Sequence, residues 1–387
     1  MKNYNESLQN HMMMLCETIG ARPTGSAENK IAVDYAFAVL QNCGFEVHKQ
    51  EFDCIDWHSS GASLLIDGQN VSAEPAEYSA HCNVQTKFVC LDTVDALQAA
   101  ELEGKIAVLH GDLCKEPLMP KNFEFWNPDE HKRIIAVLEQ KAPAAIVMVS
   151  SLHEHIIQDG DFDIPCAVVC ESTLDAFLKS TDRKASLIIN TKRIPTKAHN
   201  VIATYGASHD KVCLSAHIDT KPATPGALDN ASGVSVLLTL AEAVSSEIFP
   251  FPLEIVLFNG EDYYSNPGEI TYMRALQPEY KAAINIDGVG LIGSDTSISF
   301  YECDSQFENR IMECAERIGS IERIEPWPMG DHMIFASHGI PAIAMTASDI
   351  FDLLETTVHS PDDNMKNIDM GVLNKSVEFL LDCLKTV

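Results

Sequence analysis

The chain has 387 residues, 46% hydrophobic and 21% charged, enough for a large buried core in two domains or in one domain carrying an insertion. Basic residues number 27 against 56 acidic ones, a net charge of −29, which repels nucleic acid and anionic membrane and favours cationic ligands such as free amines. Met12 to Leu15 make too short an apolar run for a signal or membrane-spanning segment, and the twelve cysteines, scattered without a CxxC pair, read as reduced thiols of a cytoplasmic protein.

In chain order, Ser26 can cap a helix that runs to about Cys43 and stops at Gly44, and residues 45–52 follow as a strand. Between about Asp56 and Lys192 the texture changes to short strands, such as 105–110 and 144–149, separated by turn-rich stretches including 116–128, with a helix over 129–140. Within this stretch His153 and His155 read as a solvated turn, and Cys166 and Cys170 as small hydrophobes of a buried strand. Trp57, Trp126 and Trp327 are expected in core or interface packing. The alternation then resumes. Strands are expected over 200–205 and 212–216, a helix over 233–244, and strands over 253–258, which reads as continuously apolar, and 282–286. A helix near 307–318, a strand at 342–345 and a helix over 370–384 complete the pattern. Such short strands, apolar on both faces and alternating with helices, require an α/β fold with a mostly parallel central sheet covered on both sides. The expected organisation is one α/β domain from residues 1–55 and 193–387, interrupted by a module over 56–192.

Chemistry is expected just beyond the carboxyl ends of such strands. The strand over 212–216 ends in His217-Ile218-Asp219, that over 253–258 is followed by Glu261-Asp262, and that over 282–286 ends in Asp287. Asp229 follows in a loop before a helix, and His359 in a later loop. Taken singly, each is an ordinary cap, turn or surface residue. Together they form a mixed nitrogen and oxygen set that suits zinc, since several carboxylates gathered at one edge need cations to neutralise them.

The strings His217-Ile218-Asp219, Gly226 to Gly233 (GALDNASG), Gly260-Glu261-Asp262, Asn285-Ile286-Asp287 and His359-Ser360-Pro361-Asp362-Asp363 resemble the signatures of the co-catalytic zinc aminopeptidase family. That family includes glutamate carboxypeptidases, glutaminyl cyclases and the transferrin receptor. Gly20 to Ser26 (GARPTGS) is similar to its opening segment, and the strands near Leu109 and Val168 resemble those of the protease-associated domain that many members carry. The resemblance implies a zinc-exopeptidase fold acting on a peptide substrate with two Zn2+ ions, Co2+ or Mn2+ being alternatives. It implies that His217 and Asp287 bind one ion, Asp262 and His359 the other, and Asp229 bridges them. Asp219 would orient His217 by a hydrogen bond, and Glu261 would be the general base.

Three positions depart from the family. Asp262 stands where these aminopeptidases usually carry glutamate, and Val358 where several have tyrosine. Gly268-Glu269 replaces a more usual Gly-Ser, and Asp331-His332 resembles a pocket-edge segment. Removal of an N-terminal amino acid is the expected reaction. A carboxypeptidase or dipeptidase, which would need an Arg or Lys cluster for the terminal carboxylate, and a catalytically inactive binding protein are the alternatives.

Overall fold

The computed structural model describes residues 3–152, 154–180, 182–206, 210–245, 252–276, 280–353 and 356–386. It divides into two compact units, one formed by Met1–Cys54 with Thr196–Val387 and the other by Ile55–Pro195. The chain passes between them within the long strands Glu46–Ile66 and Lys184–Tyr205 (β1). Neither is a short strand of the kind the turn-rich composition predicts; the first continues far beyond residue 52.

The larger unit opens with α1 (Asn5–Met13), continued by the one-turn segment Met14–Ile19. Next comes α2 (Ala27–Asn42), capped where the sequence places it, by Ser26 accepting from Asn29 N–H at 3.0 Å. After β1 follow β2 (Lys211–His217), α3 (Ser232–Val244), β3 (Leu253–Phe258), α4 (Pro267–Ala275) and β4 (Tyr280–Ile286). Then come β5 (Thr296–Tyr301), α5 (Ser305–Ile318), β6 (Ile321–Arg323), β7 (Ala342–Ala347) and α6 (Met370–Thr386). The strands lie in the order β6-β5-β7-β4-β2-β3-β1. β3, β2, β4 and β7 run parallel, while β1 and β5 pair antiparallel with β3 and β7.

Strand alternation builds two cores. Val212, Leu214 and Ala216 face one way, against α3 and its neighbours, and Cys213 faces the other, with Phe258, Tyr272 and Phe335. Because α3 is buried nearly all round, its sequence is apolar all round. By length and hydropathy Ala227–Val244 would suit a membrane span, yet 94% of it is buried inside the protein.

β3 is less uniform than its sequence suggests. Glu254 is a buried acid in mid-strand, satisfied by Lys211 Nζ at 2.6 Å and by the hydroxyls of Tyr272 (2.7 Å) and Tyr280 (2.6 Å).

In the smaller unit, Cys82–Leu91 pairs antiparallel with β1 and parallel with Ile106–Leu109, which continues in parallel to Ala145–Val149 and Cys166–Val169. The helix Asp129–Lys141 buries Ile134, Ile135 and Leu138. Cys166 is buried in its strand, but Cys170 lies beyond the strand end and is exposed, so the two do not share one buried strand. His155 Nδ1 accepts the Glu77 N–H at 3.1 Å, and its turn is only partly solvated; His153 lies outside the described residues. Trp57 packs at 6.0 Å from Tyr78, whereas Trp126 is 69% exposed and so not a core residue.

Candidate metal centre

β2, β3 and β4 are neighbours whose registers pair Phe258 with His217 and Asn285 with Ser215. Their carboxyl ends therefore lie side by side, and deliver His217, the turn Asn259-Gly260-Glu261-Asp262, and Asp287 to one edge. Asp229 arrives from the segment Ala227–Ala231 ahead of α3, where Asp229 (φ −115°, ψ 87°) and Asn230 (φ −138°, ψ 43°) leave helical geometry. His359 comes from the loop before α6 and sits in the left-handed region, at φ 61°.

The five side chains form two triads that share Asp229: His217, Asp229 and Asp287, and Asp229, Asp262 and His359. His217 Nε2 lies 2.8 Å from Asp229 Oδ1 and 3.4 Å from Asp287 Oδ1. His359 Nε2 lies 3.0 Å from Asp229 Oδ2 and 3.1 Å from Asp262 Oδ1. Each oxygen of Asp229 thus faces a different histidine, the disposition of a bridging carboxylate.

The residues fit metal ions by a direct test. Both ring nitrogens of His217 and both oxygens of Asp262 are buried and make no hydrogen bond among the described residues. They approach their neighbours without the alignment of a donor and an acceptor, which is how lone pairs gathered around a cation are arranged. Burial lowers the pKa of His217, but Asp287, Asp219 and Asp229 outweigh it and hold the group well above its ordinary value. For Asp229, burial pushes upward and the two histidines pull the carboxyl below its usual range. Burial raises Asp262, with the charge of Asp229 adding. It raises Glu261 well above the carboxylate range too, where Asp262, Asp287 and Asp229 add and His217 opposes.

Asp219 is fully buried, but its oxygen stands 3.7 Å from His217 Nδ1, too far for the hydrogen bond expected of it. The carboxylate instead accepts from Thr24 Oγ1 (2.8 Å), Asp262 N (3.2 Å) and Glu261 N (3.3 Å). In this structure it fixes the turn that carries Glu261 and Asp262.

Other positioning residues lie inside the quoted motifs, but their roles are not readable there. Asp363 accepts the N–H groups of Leu228 (2.8 Å) and Asp229 (3.0 Å). Asn230 Nδ2 donates to Ile286 O at 2.8 Å, and its Oδ1 accepts from Gly233 N at 2.9 Å, tying the Asp229 segment to the end of β4. Arg22 has no exposed surface and donates to four backbone carbonyls. Nε reaches Ile218 O (2.7 Å), Nη1 reaches Pro225 O (2.7 Å) and Gly20 O (3.3 Å), and Nη2 reaches Gly226 O (3.1 Å). One guanidinium fork therefore holds the chain on both sides of the loop from His217 to Asp229.

Residues 200–384, which include every residue of both triads, match the model of Peptidase family M28. This part of the chain is similar to an M28 peptidase domain. The chain is also 23% identical over 378 residues to the aminopeptidase YwaD of Bacillus subtilis, covering 92% of this chain and 78% of that protein. It is 23% identical over 274 residues to the probable lipoprotein aminopeptidase LpqL of Mycobacterium tuberculosis, covering 66% of this chain and 52%, about half, of LpqL. The crystal structure of BSAP, a zinc aminopeptidase from Bacillus subtilis, superposes with a TM-score of 0.78 at 19% identity, over 98% of this chain and 94% of that one. This likeness establishes the zinc-exopeptidase type of α/β fold, with a mixed, mostly parallel sheet between helices.

Proposed function

We propose that this protein is a metal-dependent aminopeptidase of the M28 type that removes the N-terminal residue of peptides with two zinc ions. The carrying observation is the pair of triads sharing Asp229 at the carboxyl ends of β2, β3 and β4. His217 and Asp287 would hold one ion, Asp262 and His359 the other, and Asp229 both. Bound there, zinc supplies a water of lowered pKa and polarises the scissile carbonyl.

The chain's own residues do the rest. Glu261 belongs to neither triad and is held by the bond from its N–H to Asp219, so its carboxylate is free to take the proton of the attacking water and return it to the leaving amine. The excess of acid around the site favours a free substrate ammonium over a blocked terminus. Asp262, one methylene shorter than the usual glutamate, still brings Oδ1 to 3.1 Å from His359 Nε2, because its N–H is anchored on Asp219. We further infer that residues 55–195 are a protease-associated module, a reading supported by the parallel strands Ile106–Leu109 and Cys166–Val169, and that the protein works in a reducing compartment such as the cytoplasm, with its twelve cysteines as thiols.

The test is Glu261→Gln. It should lower kcat by at least about a hundredfold while bound zinc, measured by atomic absorption, stays at the parent level. A variant with parental turnover would remove Glu261 from the mechanism.

A further inference from the structure

Two more acids lie beside this centre and take no part in the chemistry above. Glu269 is in the first turn of α4, and Asp331 immediately precedes the short helix His332–Ala336. Phe335 of that helix packs against Tyr272 of α4 with ring centroids 6.0 Å apart, so the two helices are in contact. Asn266 Nδ2 donates to Glu269 Oε1 at 2.8 Å and to the backbone oxygen of Glu261 at 3.2 Å, so Glu269 is tied to the turn of the general base.

Both acids are 2% exposed, and among the described residues Glu269 Oε2 and both oxygens of Asp331 have no hydrogen-bond partner. Orphaned carboxylate oxygens in a protein interior are costly unless a cation meets them. Burial, with the charge of Asp219 adding, pushes Glu269 up to about 7; burial, with Glu269 and Glu261 adding, pushes Asp331 well above the carboxylate range.

Among the described residues, Glu269 and Asp331 belong to no metal-sized triad, which favours an organic cation. Beside Asp331, the ring of His332 packs at 4.4 Å from Tyr301 and 5.4 Å from Trp327, and Trp327 lies 5.5 Å from the partly exposed Phe351. Such a wall suits the methylene stem of a long basic side chain as well as its cationic head.

Building on the aminopeptidase reading, we propose that Glu269 and Asp331 form a cation subsite that selects peptides whose N-terminal residue is arginine or lysine. The subsite is tested with zinc-loaded protein on dipeptides headed by arginine and by citrulline, its neutral counterpart of matching shape. The parent should show kcat/KM at least about tenfold higher for arginine, a preference worth about 1.4 kcal/mol. Glu269→Gln and Asp331→Asn should each reduce the arginine-to-citrulline ratio at least about fivefold, through KM. Calorimetry with free arginine and citrulline should show the same loss of discrimination without turnover. Equal cleavage of the two peptides by the parent, or an unchanged ratio in both variants, would overturn the subsite while leaving the aminopeptidase reading standing. Failure to cleave any free peptide, leucine-headed ones included, would instead remove the reading on which it rests.

Discussion

Arg22→Lys isolates the geometry of the guanidinium from its charge. The four carbonyls that Arg22 meets, on Gly20, Ile218, Pro225 and Gly226, are reached from three nitrogens of a planar fork at 2.7–3.3 Å. A lysine ammonium is a single point of charge, and serves at most about two of them from one position. At least two buried carbonyls then lose their donor, at about 1–3 kcal/mol each, so a loss of roughly 2–6 kcal/mol is expected in the stability of the unit that carries the site. Denaturant unfolding with a chelator present measures this without a contribution from bound metal. Because the fork spans the loop from His217 to Asp229, the same variant should also bind zinc more weakly. A stability within about 0.5 kcal/mol of the parent, the spread of ordinary surface substitutions, would refute the bracing role.

The shared carboxylate predicts unequal metal losses. Asp229→Ala should bind almost no zinc, whereas Asp287→Ala should retain about one ion per chain, by elemental analysis after dialysis. In Gly233→Ala the added Cβ would overlap Asn230 Oδ1 and stand 2.5 Å from Ile286 O; a loss of about 1–3 kcal/mol on melting is expected, and a variant as stable as the parent would contradict the close approach. Burial holds His332 at about 4, against about 6.5 in an unfolded chain. The unfolded state therefore takes up the proton first, and stability is lost as pH falls from about 6.5 towards 4. Between pH 7.5 and pH 5 the parent should lose roughly 2 kcal/mol more than His332→Gln, and parallel pH profiles would contradict this.

Legibility followed the physics of each element. β2, β3 and β4 were readable because a buried parallel strand needs apolar residues on both faces, and the polar residues that follow such runs stand out: His217, Glu261, Asp262 and Asp287. The extent of the strand beginning at Glu46 was not readable, since it continues through polar residues as far as Ile66, and only its pairing makes that stretch a strand. Arg22 and Asp363 carry no local signal for their work, because each acts on residues some 200 or 135 positions away. Asp219 shows the same limit in reverse. The family resemblance suggested a hydrogen bond to the imidazole of His217, but the fold turns its oxygens to the backbone of Glu261 and Asp262.

The most direct test of the central claim is product analysis by mass spectrometry, with short peptides offered free and N-acetylated to zinc-loaded and chelator-stripped protein. The account predicts that only free peptides lose their first residue, and only when metal is bound. Loss of the last residue from acetylated peptides, or equal cleavage of free and acetylated ones, would contradict it.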